Sequence, residues 1–435
     1  MSVYRAISHT SRRIAQNTGA LSFAQVARVG FNTLLTLFIA RKLGAEGLGK
    51  YAVLVSYVQI FQTLAMAGVP RLVVREMARR LEARTALFQR MLVNQAIGAG
   101  AAVLLFVTVA GLLNHPADTT QALKIASLSL LPFAVASASE ATFRAQEKMG
   151  YIALAQTVAY AAQTAAAIAA LLAGYGIEGV AWAMVAGQCL MAVVETVIAG
   201  RLGMWRAFRV EVKKGLRLFR QSAEFFVVTL SVVVFSRLDV LVLSQMVGER
   251  EAGLYNAAYL VIRVINFASI SYSDAIYPVL SRMFQQGRRR FTMLFSRSLV
   301  YGSLLALGVS VGVALGAGTI IRLLYQSPEY RTSVLLLQIE APLVVILLWN
   351  ALFSKALMAS NLQRWSMAAA GAKLAVGFAC YLILTARMGA AGTAWATVIA
   401  GLVGAILNCL FLVKNYNALA FGTWLFRPHT YPPDG

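Results

Sequence analysis

The sequence predicts an all-α polytopic membrane protein of twelve transmembrane helices, arranged as two six-helix lobes related by a parallel repeat. Three observations predict it: an apolar excess too large for a water-soluble chain, basic residues concentrated in alternate loops, and an internal repeat. Of 435 residues, 59% are apolar and only 13% are charged, with a mean hydropathy of +0.69. A soluble domain has about half apolar and about a quarter charged residues. In water the surplus would form large aggregating patches, so it faces lipid. Twelve spans of about 20 residues occupy roughly 240 positions, leaving no room for a sizeable soluble domain and disfavouring an enzyme with a separate catalytic head.

Apolar runs place the spans near 18–40, 51–70, 91–113, 122–139, 152–173, 179–199, 224–247, 253–278, 298–321, 333–354, 365–386 and 392–413. Backbone groups in hydrocarbon must be satisfied within the segment, and runs this long are helices, not barrel strands. With the N-terminus inside, the inside segments hold 27 of the 39 Lys and Arg residues and the outside loops 8. The other four, Arg28, Arg237, Arg263 and Lys373, lie within spans. This asymmetry puts both termini in the cytoplasm. It also decides against a nucleic-acid partner, which a net charge of +22 would suggest in a soluble chain.

The N-terminal stretch MSVYRAISHTSRR is basic and polar, and the run behind it is long enough to span, so no cleaved signal is expected. Cys189, Cys380 and Cys409 fall inside apolar runs and show neither a disulfide framework nor metal spacing. His9, His115 and His429 are too scattered for a ligand cluster. The sequence implies no cofactor and no metal.

The two halves repeat one another. Gly44-AEGL-Gly49-K-Tyr51 after span 1 matches Gly248-EREA-Gly253-L-Tyr255 after span 7, an offset of 204. Pro116-AD and Pro328-EY follow spans 3 and 9, and Gly176-IE-Gly179-VAWA and Gly389-AA-Gly392-TAWA precede spans 6 and 12, at offsets of 212 and 213. Three matches in order with nearly constant offset argue for duplication of a six-span unit. Six is even, so both halves enter the membrane the same way round. The expected organisation is an N-lobe over 1–200, a linker over 201–222 and a C-lobe over 223–435. The linker's Trp205, Phe208, Leu216 and Phe219, set among seven basic residues over 201–220, suit either an amphipathic segment at the cytoplasmic interface or an ordinary basic loop.

Gly44-Ala-Glu-Gly-Leu-Gly49-Lys50 matches seven positions of a P-loop, but Tyr51 stands where Ser or Thr would hold magnesium and no strand precedes it. A tight turn is the expectation there. Gly308, Gly312 and Gly316 in span 9 have the spacing of a close helix-packing face.

The informative residues are the charges inside spans, since each costs at least about 2.5–3.5 kcal/mol at the bilayer centre unless it faces water or a partner. Span 1 carries Thr18, Ser22, Gln25, Arg28, Asn32 and Thr36 at steps of three or four, which place them on one helix face. Span 8 carries Asn256, Tyr259, Arg263, Asn266, Ser269, Ser273 and Tyr277 in the same pattern. Arg237 and Asp239 in span 7 are two residues apart and need not pair. Span 5 adds Gln156, Tyr160 and Gln163, and span 11 adds Lys373. Two readings stand side by side. In one, these groups make structural hydrogen bonds, with the arginines paired to Glu195, Asp274 or Glu340. In the other, Gln25, Arg28, Asn32, Gln156, Arg237, Asp239, Arg263, Asn266 and Lys373 line a hydrated basic cavity suited to an anionic substrate. A cation exporter would instead place acids there.

The stretch Thr18 to Arg75, with ARKLGAEGLGKYAVLVSYVQIFQTLAMAG, resembles bacterial polysaccharide transporters, the flippases of lipid-linked oligosaccharides within the multidrug/oligosaccharidyl-lipid/polysaccharide exporter superfamily. DVLVLSQMVGEREAGLYNAAYLV (239–261) and LLYQSPEY (323–330) are similar to second-half signatures of that family. The resemblance implies a fold like the superfamily's multidrug exporters, alternating access in the inner membrane of a bacterium, and a cavity lined largely by spans 1, 2, 7 and 8. It further implies a polyprenyl-diphosphate-linked glycan as cargo among membrane lipids, with transport driven by a coupling ion (proton or sodium) or the membrane potential. The alternatives are a multidrug exporter of the same fold, a peptidoglycan-precursor flippase, which often has two more helices, and a membrane enzyme, for which no catalytic constellation is visible.

Overall fold

The computed structural model describes residues 2–79, 82, 84–205 and 211–416, which form helices joined by short turns, with no strand among them. They fall into two compact units, 1–253 and 254–435.

The first unit opens with α1 (Ser2–Met66), which is interrupted at Gly44 by φ 71° and ψ −167° and so supplies spans 1 and 2. After a turn at Ala67 and Gly68 comes α2 (Val69–Arg79), in the basic segment read from sequence as a loop. It is a short amphipathic helix whose Val69, Leu72, Val73 and Met77 are buried. They join Phe88 and Met91 of α3 (Arg84–Leu112) and Phe143, farther along the chain, in one apolar core. Span 4 is broken into α4 (Ala117–Ser127) and α5 (Leu130–Ala145). Spans 5 and 6 are α6 (Met149–Leu172) and α7 (Gly176–Arg201).

The linker contains a helix, α8 (Val212–Gln221), seated on α3. Asn94 donates to the Gly215 carbonyl at 3.1 Å, Arg90 pairs with Glu211 at 2.6 Å, and Leu218 is buried. Trp205 lies edge-on to Phe88, with ring centroids 5.4 Å apart, while Phe208 lies outside the described residues. Span 7 is broken into α9 (Ala223–Phe235) and α10 (Leu238–Met246), both packed on α1. The first residues of α11 (Glu249–Gln285) complete the unit.

The second unit holds the rest of α11, then α12 (Arg288–Tyr325), a 3₁₀ turn over Pro328–Tyr330, α13 (Arg331–Glu340), α14 (Leu343–Ala359) and α15 (Gln363–Tyr416). α15 is interrupted at Gly389 and supplies spans 11 and 12. In the LLYQSPEY segment, Tyr325 and Tyr330 are fully buried and stacked at 4.4 Å, and the Tyr325 hydroxyl donates to the Ala257 carbonyl at 2.9 Å.

Among the described residues, eight helical stretches, with α4 and α5 taken together, are long and apolar enough to cross a membrane, and the bent pair made by Pro328–Glu340 and α14 is a ninth. The interruptions in α1 and α15 fall between spans 1 and 2 and between spans 11 and 12 of the sequence reading, and α9 with α10 covers its span 7. The repeat is written in the backbone as well. Gly176 and Gly389, 213 residues apart, have φ of 56° and 58°, a left-handed conformation that glycine adopts without a Cβ penalty. The break at Leu128–Ser129 in span 4 recurs, at the same offset, at Ala341–Pro342 in span 10.

One packing expectation is corrected. A Cβ at Gly308 or Gly312 would meet nothing within 4 Å, and one at Gly316 would meet only Ile320 of the same helix. The buried face of α12 carries Gly302, Ala306, Ser310, Val313 and Ala317 instead, so the four-residue glycine spacing falls on the other side of the helix.

Candidate functional site

In the first unit the polar stripe of span 1 meets polar residues from three other helices. Arg28 donates through Nη2 to Gln25 Oε1, one turn earlier, at 2.7 Å, and lies within hydrogen-bonding reach of the Tyr160 hydroxyl on α6. One turn before Tyr160, Gln156 donates to Glu140 Oε1 on α5 at 2.7 Å. The second Glu140 oxygen accepts from Arg144 at 3.2 Å. Glu195 on α7 is fully buried and feels the charges of Glu140 and Arg144. The close packing of α6 on both α1 and α7, and of α5 on α7, brings these residues to one place. Asn32, half-buried, lies one turn beyond Arg28, and its carbonyl accepts from Thr36. Of the sequence-predicted residues, Gln25, Arg28 and Gln156 are therefore gathered. Glu140 escapes the sequence reading because it falls just past the apolar run over 122–139, whereas α5 continues to Ala145.

Arg237 occupies the break in span 7 and turns two donors of its guanidinium onto Gln59 Oε1 of α1, at 2.9 and 2.7 Å. Asp239 is buried at the start of α10, where its Oδ1 accepts the Val240 N–H at 2.8 Å. These two residues tie α10 to its own first turn and to span 2. Gln59 carries no signal in the sequence, being one polar residue in an apolar run.

In the second unit Arg263 is exposed. One N–H reaches Asn256 Oδ1 at 3.0 Å, and the guanidinium carbon lies 5.4 Å from the Tyr259 ring centroid. Asn266 is half-buried one turn on. Farther along the stripe, Ser269 and Ser273 are buried, and Ser273 donates back to the Ser269 carbonyl. The span 8 stripe thus presents Arg263 outward and serves packing at its far end. Asp274 pairs with Lys355 at 2.6 Å. Lys373 is half-buried on α15, where its side chain and Asn350 both press on Gly404.

Lys50 ends the P-loop-like sequence, and its ammonium pairs with Glu46 at 2.9 Å and Asp118 at 2.5 Å. Burial pulls this ammonium down, but bonds to Asp118 and Glu46 outweigh it and hold the group above its ordinary value. The lysine is committed to structure. Beside it, His115 was passed over because nothing near it in sequence is a partner. In the fold its Nδ1 lies 3.3 Å from Glu249 Oε1, its Nε2 lies 2.7 Å from Gln245, and Thr119 donates to Glu249 Oε2 at 2.9 Å.

Comparisons with known proteins place this geometry. No curated protein matches the chain. Among solved structures, the lipid II flippase MurJ in an inward closed conformation superposes with a TM-score of 0.75 at 16% identity, over 92% of this chain and 87% of that one. An inward-facing multidrug resistance transporter of the MATE family in the MOP superfamily gives 0.68 at 12% identity, over 94% and 99%. A MOP superfamily transporter from Pyrococcus furiosus, described as having a binding pocket of reversed polarity, gives 0.60 at 14% identity, over 94% and 96%. At these identities the likeness establishes the fold, a MOP-type bundle of membrane helices. The family profile described as polysaccharide biosynthesis protein matches residues 14–284, well over half of the chain, and the protein belongs to that family.

Proposed function

We propose that the protein is a flippase that moves a polyprenyl-diphosphate-linked oligosaccharide from the cytoplasmic to the outer leaflet of the bacterial inner membrane by alternating access. The observation that carries this reading is the arginine at the heart of a polar intramembrane cluster, Arg28 with Gln25, Gln156 and Tyr160, in a member of a polysaccharide biosynthesis family. A diphosphate that leaves water needs fixed donors in its place, and the planar guanidinium supplies several in one fork. Arg263, exposed on the second unit with one donor on Asn256, is the second such group. Asn32, Arg237, Asp239, Asn266 and Lys373 complete the proposed substrate-facing set. The functional lobes divide at the 201–222 linker, and both termini face the cytoplasm, as the distribution of basic residues supports. A proton or sodium gradient, or the membrane potential, supplies the drive. Multidrug export is the weaker reading, because the polar stripes of spans 1 and 8 carry arginines, Arg28 and Arg263, and no acid near their centres.

The test is complementation of a flippase-deleted strain, with expression checked for each variant. Arg28→Ala and Arg263→Ala should each abolish surface glycan while leaving membrane insertion unharmed. The lysine variants should rescue only in part, since lysine keeps the charge and loses the fork. Normal surface glycan from well-expressed alanine variants would overturn the assignment of these arginines to the substrate.

A further inference from the structure

Glu195 lies on α7 with no exposed surface, and among the described residues neither of its carboxylate oxygens has a hydrogen-bond partner. A buried ionised carboxylate without donors is among the costliest groups a protein interior can hold. The charged and titratable groups facing Glu195 are Glu140 and Arg144 from α5, with Tyr160 from α6 and, behind Tyr160, Arg28 from α1. From α4, which also packs on α7, Asp118 is engaged by Lys50 and Lys124 points to the exposed side.

The two carboxyls are provided for very differently. Glu140 has both oxygens occupied by donors, Gln156 on one and Arg144 on the other. Glu195 has none. Two carboxyl groups in electrical reach of each other inside a protein oppose each other's ionisation, and hydrogen-bond donors favour the charged form of the one that has them. A proton needs a single carboxylate oxygen and no further ligand, so it is the ligand that a buried carboxylate without donors can hold by itself.

We propose that Glu195 is a proton-binding site, the place where the protein takes up and releases a proton, with Glu140 as its charged partner. A hydronium ion gives up one O–H bond to leave water, and a carboxylate oxygen of Glu195 forms the new O–H bond. The way in passes Arg144 and Glu140, whose side chains are 42% and 16% exposed. The proton's part in a transport cycle rests on the flippase reading above, whereas the site itself does not.

Two measurements on the full-length protein separate these claims. Infrared difference spectra of the purified wild type across a pH series should show a protonated-carboxyl band at neutral pH that is absent from Glu195→Gln. In Glu140→Gln, which leaves Glu195 in place without its like-charged neighbour, the band should vanish at a lower pH than in wild type. A wild type without the band, a Glu195→Gln variant that keeps it, or a Glu140→Gln variant with an unshifted profile would overturn the proposal. In proteoliposomes carrying a fluorescent polyprenyl-diphosphate glycan, an imposed pH gradient should accelerate flipping by the wild type, and Glu195→Gln should lose that acceleration. Retained acceleration would overturn the site's role. A wild type that moves no glycolipid would overturn the flippase reading, while the infrared band would still decide the proton site.

Discussion

Gly49 and Gly253 stand 204 residues apart in the sequence and back to back in the fold. A Cβ on Gly49 would fall 1.7 Å from the Glu249 carbonyl oxygen, and a Cβ on Gly253 would fall 1.7 Å from that of Ala45. Ala45 and Glu249 are themselves 204 apart. The contact is therefore reciprocal, as in a two-fold interface between identical subunits, except that both partners belong to one chain. Two copies of the repeated glycine motif cross where neither has a side chain.

Replacing either glycine should cost stability. A methyl group at these distances overlaps backbone, so the helices must separate, at about 1–3 kcal/mol for an overpacked contact. Gly49→Ala and Gly253→Ala should each lower the unfolding temperature in detergent. The double variant should fall short of additivity, because both methyls force the same separation. Unchanged melting of both single variants would count against the crossing.

Lys50→Ala should leave glycan export intact and cost no more than about 1 kcal/mol, the range for a partly exposed ion pair. The purified protein should bind no nucleotide, and saturable ATP binding abolished by this substitution would refute the structural role. The pair's contribution also has a defined pH window. Burial raises Asp118, but the bonds from Lys50 and the Thr119 N–H outweigh it and hold the carboxyl below its ordinary range, so the contribution is lost as pH falls through that lowered value. Lys50 is raised, so it is lost again as pH rises through the raised lysine value. The small difference in melting temperature between wild type and Lys50→Ala should therefore be flat near neutrality and shrink at both extremes.

Reporter fusions at His115, Tyr175 and Glu329 should read outside, and fusions at Arg84, Lys213 and Arg289 inside. A single robust reversal would refute the orientation drawn from the basic residues.

Arg237 and Gln59 should be energetically coupled. Arg237→Lys loses the fork onto Gln59 Oε1, and Gln59→Leu leaves the guanidinium without that acceptor. A double-mutant cycle on thermal stability should give an interaction energy of about 0.5–3 kcal/mol. A value near zero would mean that the break in span 7 is held by other contacts.

The sequence carried the fold further than the site. Spans, repeat and family follow from apolar runs and glycine motifs, because lipid imposes length and composition on every span. The breaks in spans 4, 7 and 10 were invisible, since Leu128–Ser129 and Ser236–Arg237 bear no helix-breaking residue and Pro342 alone hints at the third. α2 was read as a loop because its apolar face, Val69, Leu72, Val73 and Met77, is interleaved with arginines and never forms a run. The site was half legible. A stripe such as Gln25, Arg28 and Asn32 declares itself through spacing, whereas which acid answers it depends on tertiary neighbours. Glu140 and Glu195 are 55 residues apart, and no local pattern joins them.

The matched glycine hairpins at Gly176 and Gly389 have a mechanical consequence. Just past each turn a second glycine lets the arms touch, with a Cβ on Gly179 falling 2.8 Å from that of Ala170 and one on Gly392 falling 2.0 Å from the Leu384 carbonyl oxygen. Arms joined by a short turn and in contact beside it have little room to splay, so α6 with α7, and the two halves of α15, behave as stiff levers. Compliance is left to the places where the helical ladder is already cut, at Leu128–Ser129, Ser236–Arg237 and Ala341–Pro342. Two of these lie at equivalent points of the repeat and one has no counterpart, which gives the second half an additional joint and makes the duplicated halves mechanically unequal.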